Sequence, residues 1–389
     1  MKKQNLFSEE EFLALRGFVK NEIAPFTKVN DEKEVFPLAI YQKLHQMGWS
    51  NCMIPTELGG IGASSVDMVR AFREIAYGSP GIAFTIAANA AAVVAILIAG
   101  RKELAQEFAT DYQNRFSLSS FCFTEPDHGS DVLRIETYAT RVEGGFRLNG
   151  KKCFITNANY ADRLLVVAKT NLSGAPKNSM SLFLIDQGTP GLTIGQDYHK
   201  LGIREASTSE IFLDNVLVPS DRMVGNEGEG FAIAGRSIQR SRIMMAAIAI
   251  GLCDRVRDLA TDHLKHRVLY EKPLLTQPAI SNLLAQLHAE KEGAWALINN
   301  AAEAWDSGNP SFLPSSMAKL LAGQIATKYS SHGVELFGGY GYMKEYEIEK
   351  LYRDAKFFEI VEGPNFVQLA IMAKELFPMP AKTPVKVAA

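Results

Sequence analysis

Twice along its length the chain changes the period at which apolar residues recur, and this constrains the fold more than any single motif. Residues 8–110 read mainly as helix. Phe12, Leu15, Phe18 and Val19 recur at helical spacing behind Ser8 and the acidic turn Glu9–Glu11, a cap with acid in the first turn. Tyr41, Leu44, His45 and Gly48 form another helical stretch, broken by the loop 54–60, and Val66–Tyr77 and Ile82–Gly100 follow as helices. From about residue 116 the period falls to two. Tyr138, Thr140 and Val142 alternate, Glu143-Gly144-Gly145 turns the chain, and Phe146 and Leu148 alternate again, which is a hairpin signal. Asn149-Gly150 reads as a second turn. Leu164–Val167, Leu182–Ile185 and Ile211–Val218 read as further strands. After about residue 228 the helical period returns in three long stripes, carried by Ile248–Leu259, Ile280–Ile298 and Met317–Ile325. Pro314 sits in the first turn of the last.

The order helical, β, helical predicts an α+β multi-domain chain. An N-terminal α-helical domain is expected over 1–115 and a middle antiparallel β-barrel or sandwich domain over 116–227. A C-terminal antiparallel four-helix bundle is expected over 228–378, with a tail over 379–389.

Composition narrows the partners. Lys+Arg 41 against Asp+Glu 43 leaves no basic excess to neutralise phosphates, so nucleic acid is not an expected partner. With 47% hydrophobic residues the chain has apolar surface enough to order itself. Cys52, Cys122, Cys153 and Cys253 are widely separated, so buried free thiols are expected and no metal site. The start, MKKQNLFSEEEF, has no apolar run behind its lysines and does not read as a secretory signal. The longest apolar stretch, Ala87–Gly100, is interrupted by Asn89 and reads as too short to span a bilayer. The expectation is a cytoplasmic protein with no membrane partner.

Four segments carry candidate chemistry. Phe121 to Asp131 sits where helix gives way to strand. Its Pro126 and Gly129 are turn punctuation, and its hydroxyls would also converge on a polar ligand. Phe154-Ile155-Thr156-Asn157 reads either as a strand end or as an aromatic flanking a flat ring, with Thr156 donating a hydrogen bond. Gly338-Gly339-Tyr340-Gly341-Tyr342 is a helix stop or a close backbone approach to a pyrophosphate. No βαβ unit surrounds it, so a Rossmann site is not supported. Arg353-Asp354 reads by itself as a surface ion pair. Glu362, behind Ile360-Val361 and before Gly363, is either a solvated glutamate or a carboxylate whose pKa apolar surroundings raise, suited to a general base.

In this order the motifs resemble the acyl-CoA dehydrogenase family of flavoproteins over nearly the whole chain. They are Thr124-Glu-Pro-Asp-His-Gly-Ser-Asp131, Phe154-Ile-Thr-Asn157, Gly202-Ile-Arg204, Val216-Leu-Val-Pro219, Arg267-Val-Leu-Tyr-Glu-Lys-Pro273, Gly338–Tyr342, Arg353-Asp-Ala355 and Glu362-Gly-Pro364. The resemblance implies FAD and α,β-dehydrogenation of an acyl thioester, with electrons passed to an electron-transfer flavoprotein or another acceptor. It implies that Phe121, Thr124, Ser130, Phe154 and Thr156 contact the flavin half of FAD. Arg267, Tyr270, Gln277, Glu335, Gly338 and Gly339 would hold the adenosine diphosphate half of FAD bound mainly to a neighbouring subunit of a homotetramer. Ser130, Arg242 and Gly363 would contact the substrate, Ala87–Ala95 would line part of the acyl pocket, and Glu362 would be the catalytic base. Fatty acid metabolism is the implied setting.

The chain departs from the family pattern at Phe154, which stands for tryptophan, and at Glu271, Glu335, Pro364 and Phe366, which bear on cofactor binding. Gln239 replaces an aspartate near the pantetheine arm and points to an acyl group tethered to a carrier protein as an alternative to acyl-CoA. A flavin oxidase on the same scaffold, and a non-catalytic flavin-binding protein, are the rival readings.

Overall fold

The computed structural model describes residues 7–171 and 175–378; the segment 1–6 and the expected tail over 379–389 lie outside the described residues. Six helices come first: α1 (Glu9–Phe18), α2 (Thr27–Lys33), α3 (Leu38–Gln46), α4 (Ser65–Gly78), α5 (Pro80–Ile98) and α6 (Lys102–Asn114). The Ser8 start is a reciprocal cap. Its Oγ accepts from Glu11 N at 3.2 Å while Glu11 Oε2 accepts from Ser8 N at 2.8 Å.

Helix α5 begins at Pro80, ahead of the apolar run picked out by sequence. At 19 residues it is long and apolar enough to cross a membrane, but 83% of its most apolar stretch is buried inside the fold. Its alanines instead let two neighbours approach. Asn89 accepts from Ser119 N at 2.7 Å, and the Ala91 carbonyl accepts from Ser237 Oγ at 2.6 Å.

Eight strands follow: β1 (Ser119–Cys122), β2 (Tyr138–Val142), β3 (Gly145–Thr156), β4 (Arg163–Lys169), β5 (Met180–Asp186), β6 (Leu192–Asp197), β7 (Thr208–Pro219) and β8 (Met223–Val224). They run in the order β6-β7-β3-β2-β4-β5-β8, with β1 beside β4. Pairing is antiparallel except that β1 joins β4, and one residue pair joins β2 to β4, in parallel. The continuous apolar run in β4 is explained by burial on both faces. Leu164, Val166 and Ala168 enter the core of the β layer, while Leu165 and Val167 face the core shared by the helices.

The hairpin at Glu143-Gly144 forms, pairing Val142 with Gly145. Asn149-Gly150 does not turn the chain. It lies inside β3, at a register shift against β7. A Cβ at Gly150 would sit 2.4 Å from Thr137 Oγ1, so this glycine serves a bulge and a close approach rather than a reversal.

The C-terminal part holds α7 (Gly230–His266), α8 (Pro278–Asp306), α9 (Phe312–Phe337), α10 (Ile348–Phe357) and α11 (Asn365–Leu376). Helix α7 spans 37 residues and is its axis, packing on α4, α5, α8 and α9. The four cysteines are buried free thiols.

Arg353 and Asp354 are not partners and not a surface pair. Asp354 is fully buried; it accepts from Lys350 Nζ at 2.7 Å and from Ile203 N at 2.6 Å. Arg353 grips Asp31 at 2.6 Å and Glu349 at 2.7 Å. Buried Glu205 joins the same network, accepting from Thr27 Oγ1 at 2.7 Å and from Ser79 Oγ, with Lys350 Nζ at 3.6 Å. These charges tie α2, α5, the loop before β7 and α10 together.

Candidate active site

The segment between α10 and α11 makes a sharp turn at Glu362-Gly363, with φ of 55° and 93°. A glutamate in the left-handed region costs on the order of 1–2 kcal/mol and must be held. Three side chains hold it. Arg242 Nε donates to the Glu362 carbonyl at 2.9 Å, Lys319 Nζ to the Gly363 carbonyl at 2.9 Å, and Gln368 Nε2 to both, at 3.1 and 2.7 Å. Gly363 is required there, because a Cβ would meet Gln368 Nε2 at 2.8 Å. The Glu362 side chain is thereby directed at α7, where Ser241 Oγ donates to Oε1 at 2.8 Å.

Burial raises the Glu362 pKa above the ordinary carboxylate value, and the Ser241 hydrogen bond with the charges of Arg242 and Lys319 pulls the other way. Burial pushes the Lys319 ammonium down to about 8. Among the described residues, the buried Arg242 Nη1 has no hydrogen-bond partner and the Glu362 N–H makes no backbone hydrogen bond. The turn thus presents a carboxylate primed to take a proton, with unused donors beside it.

A cavity between α5 and α7 opens beside Ser241. Ala87, Ala90, Ala91 and Val94 form one wall, within the stretch expected to line an acyl pocket, with Met68 and Met244 opposite.

A second cluster forms where β1 meets β3. The Thr124 carbonyl accepts from Cys153 N at 3.0 Å, Ser120 Oγ donates to the Thr156 carbonyl at 2.8 Å, and Lys152 Nζ reaches the Phe123 carbonyl at 3.1 Å. Phe121, Thr124, Phe154 and Thr156 are brought together in this way. Phe154, at φ 57° on a bulge, is 64% exposed and lies against the Tyr198 ring at 5.3 Å. Ser130 is exposed on the loop that follows β1.

The remaining candidates lie at the far end of the bundle. Arg267, Tyr270 and Gln277 surround the short ribbon after α7, and Glu335, Gly338 and Gly339 end α9. His263 stacks on Phe337 at 4.2 Å and brings these two ends side by side. Arg267 and Tyr270 are exposed, and a Cβ at Gly338 or Gly339 would meet open space. Among the described residues, no hydrogen bond, ion pair or ring contact joins this end to the β1–β3 cluster. The Glu335 carboxylate is met by His332 Nδ1 at 2.9 Å.

Sequence reasoning missed Ser241, Lys319 and Gln368, which build the Glu362 turn. The only available signal was a lysine inside the apolar stripe Met317–Ile325.

A buried carboxylate of raised pKa beside a cavity, on a helical–β–helical frame with an exposed aromatic, is an arrangement suited to taking a proton from carbon. Family models agree over nearly the whole chain: "Acyl-CoA dehydrogenase, N-terminal domain" matches residues 9–113, the "middle domain" 120–216 and the "C-terminal domain" 228–377. An acyl-CoA dehydrogenase of Bacillus subtilis is 34% identical over 366 residues, 93% of this chain and 96% of the relative. The solved butyryl-CoA dehydrogenase of Megasphaera elsdenii superposes with TM-score 0.91 at 30% identity, covering 97% of this chain and 99% of its own. The prolyl acyl carrier protein oxidase AnaB superposes with TM-score 0.90 at 25% identity, covering 95% and 98%. The chain belongs to the acyl-CoA dehydrogenase family: it is a flavoprotein oxidoreductase of the CH–CH class.

Proposed function

We propose that the protein dehydrogenates the α,β bond of an acyl-CoA, with Glu362 as the base and FAD as the cofactor. The observation that carries this reading is the Glu362 carboxylate, held in a strained turn by Arg242, Lys319 and Gln368 and kept basic by burial. A thioester carbonyl acidifies its α-C–H, and the unused N–H of Glu362 is placed to donate to the oxygen as negative charge develops on it. Glu362 takes the α-proton, and the apolar cavity walls exclude water from the reacting carbons.

The exposed ring of Phe154 and the hydroxyls of Thr124 and Thr156 fit a flat heteroaromatic ring, and exposed Arg267 with open Gly338-Gly339 fits a diphosphate. A bound FAD would supply the two-electron acceptor for the β-hydrogen. Phe121 and Ser130 complete the ring and thioester side, with Gly363 and Arg242 toward the substrate. Tyr270, Gln277 and Glu335 would meet the adenosine end of a cofactor shared with a second copy. A homotetramer follows from that sharing, and an electron-transfer flavoprotein or another acceptor would reoxidise the enzyme. A cytoplasmic location and a place in fatty acid metabolism complete the proposal. The likeness to a carrier-protein oxidase, together with Gln239, supports a tethered acyl group or oxygen as acceptor as the second reading.

The visible spectrum tests both. The pure protein should be yellow and bleach with acyl-CoA, and Glu362→Gln should keep the colour but bleach roughly 10²–10⁴-fold more slowly. Bleaching of that variant at the wild-type rate would remove Glu362 from the mechanism. Peroxide release in air, or turnover confined to acyl-carrier protein, would favour the second reading.

A further inference from the structure

The cavity between α5 and α7 is lined by apolar side chains, by the hydroxyls of Ser237 and Ser241, and by one charged group, Arg240. A guanidinium carries five N–H donors, and here they meet weak acceptors. Nε donates to Ser65 Oγ at 3.2 Å, while Nη1 and Nη2 face the thioether sulfurs of Met53 at 3.8 Å and Met68 at 3.1 Å.

Among the described residues Arg240 forms no ion pair. Asp306 acts on it only at longer range, and the two oxygens of that carboxylate are taken by the N–H groups of Ser65 and Val66 at 2.9 and 3.2 Å, where they cap α4. Burial lowers the Arg240 pKa accordingly. Other enclosed arginines find oxygen acceptors: Arg255 pairs with Glu347 at 2.6 Å, Arg353 with Asp31 and Glu349, and Arg242 donates to the Glu362 carbonyl at 2.9 Å. Arg240 is left beside this cavity with weak acceptors and no counter-charge.

We propose that Arg240 is a specificity-determining residue that binds a carboxylate at the far end of a short acyl group, so that the preferred substrates are monothioesters of dicarboxylic acids. The inference rests on the dehydrogenation reading, since Ser241, the next residue, positions Glu362 from the same helix. The reacting end and the charged end of the cavity are therefore adjacent on α7, which sets a short acyl chain. A hydrocarbon tail pressed against Arg240 would strip a cation of its remaining solvation with nothing in return. A carboxylate would accept two parallel N–H bonds from the fork. An acyl group ending in an ammonium would be repelled.

The test uses the FAD-loaded enzyme with glutaryl-CoA, its ω-methyl ester and pentanoyl-CoA. These match in chain length and differ in the terminal group. Wild-type kcat/KM should favour glutaryl-CoA by about tenfold or more over both neutral thioesters. Arg240→Met, close in volume and apolar, should lose roughly a hundredfold on glutaryl-CoA while keeping or improving turnover of pentanoyl-CoA. Arg240→Lys should retain part of the preference. Binding, read from the shift of the flavin spectrum, separates the two levels of inference. A glutaryl preference in binding that Arg240→Met abolishes, without turnover of any thioester, would sustain the role of Arg240 and overturn dehydrogenation. Turnover of all three at equal efficiency, unchanged in Arg240→Met, would overturn the role of Arg240 and leave dehydrogenation standing.

Discussion

Ser241 Oγ donates to Glu362 Oε1 across 2.8 Å and so couples the long central helix to the turn between α10 and α11. The bond favours the ionised carboxylate, while burial favours the neutral one and is the larger influence. Glu362 must be ionised to accept a proton, so kcat/KM should rise with pH through a value above the ordinary glutamate pKa. Ser241→Ala removes the opposing influence and should move this acid limb to higher pH. Near neutral pH the variant should lose about tenfold in rate, the equivalent of ~1.4 kcal/mol, and recover as the pH is raised. A pH–rate profile checks this. A loss of the same size at every pH would reduce Ser241 to a purely steric role.

Lys319 holds the Gly363 carbonyl but carries its charge where only 1% of it is exposed. Its pKa falls from 10.5 in the free side chain to about 8. Between these values the unfolded chain binds more protons than the folded one, so stability rises with pH through that window. Below about 8 the buried ammonium is a standing cost, on the order of 3 kcal/mol at most. Lys319→Met should therefore be as stable as wild type or more so at pH 7, and should lose this part of the rise between pH 8 and 10. Turnover should fall, because the Glu362-Gly363 turn loses a donor. Urea melts at the two pH values, with kcat beside them, separate the two effects. A clear destabilisation at pH 7 would sink the argument.

The helical and β halves were legible because apolar periodicity is a local property. The cap at Ser8 and the hairpin at Glu143-Gly144 have the residues their backbone needs within a few positions. Asn149-Gly150 misled because the same dipeptide serves a turn and a bulge, and only the approach of Thr137 decides between them. Arg353 and Asp354 misled for a related reason: their true partners, Asp31, Glu349, Lys350 and Ile203, include residues far away in sequence. At the site, Glu362 was visible from its apolar flank and its motif. Ser241, Lys319 and Gln368 were not, since a turn-holding residue has no signature beyond ordinary helix composition.

Glu335 is one of the departures from the family pattern, and a carboxylate there would face a diphosphate with like charge. The structure sets His332 Nδ1 2.9 Å from its carboxylate. If the adenosine diphosphate of FAD approaches Arg267 and Gly338-Gly339, Glu335→Gln should tighten FAD binding several-fold, by removing a like charge screened only by solvent and one imidazole. Titration of the apoprotein with FAD measures it. Equal affinity of variant and wild type would place the phosphates elsewhere.

Lys350 sits between two buried carboxylates. It reaches Asp354 at 2.7 Å and Glu205 at 3.6 Å, and all three side chains are almost fully buried. The attraction of both carboxylates outweighs burial, and the Lys350 pKa lies above its ordinary value. Its charge is therefore locked on throughout the physiological range. Lys350→Met would leave Asp354 and Glu205 without their counter-charge, and breaking a buried pair from one side costs about 3–5 kcal/mol. Burial already raises the Glu205 pKa, so in the variant Glu205 should take up a proton and recover part of the loss at low pH. The urea midpoint of Lys350→Met should accordingly fall sharply at pH 8 and less at pH 5. The cluster ties α2, α5 and α10 together but touches neither Glu362 nor the cavity, so kcat per folded molecule should stay near wild type. A variant that keeps its midpoint but loses turnover would move this network from the frame of the protein into its chemistry.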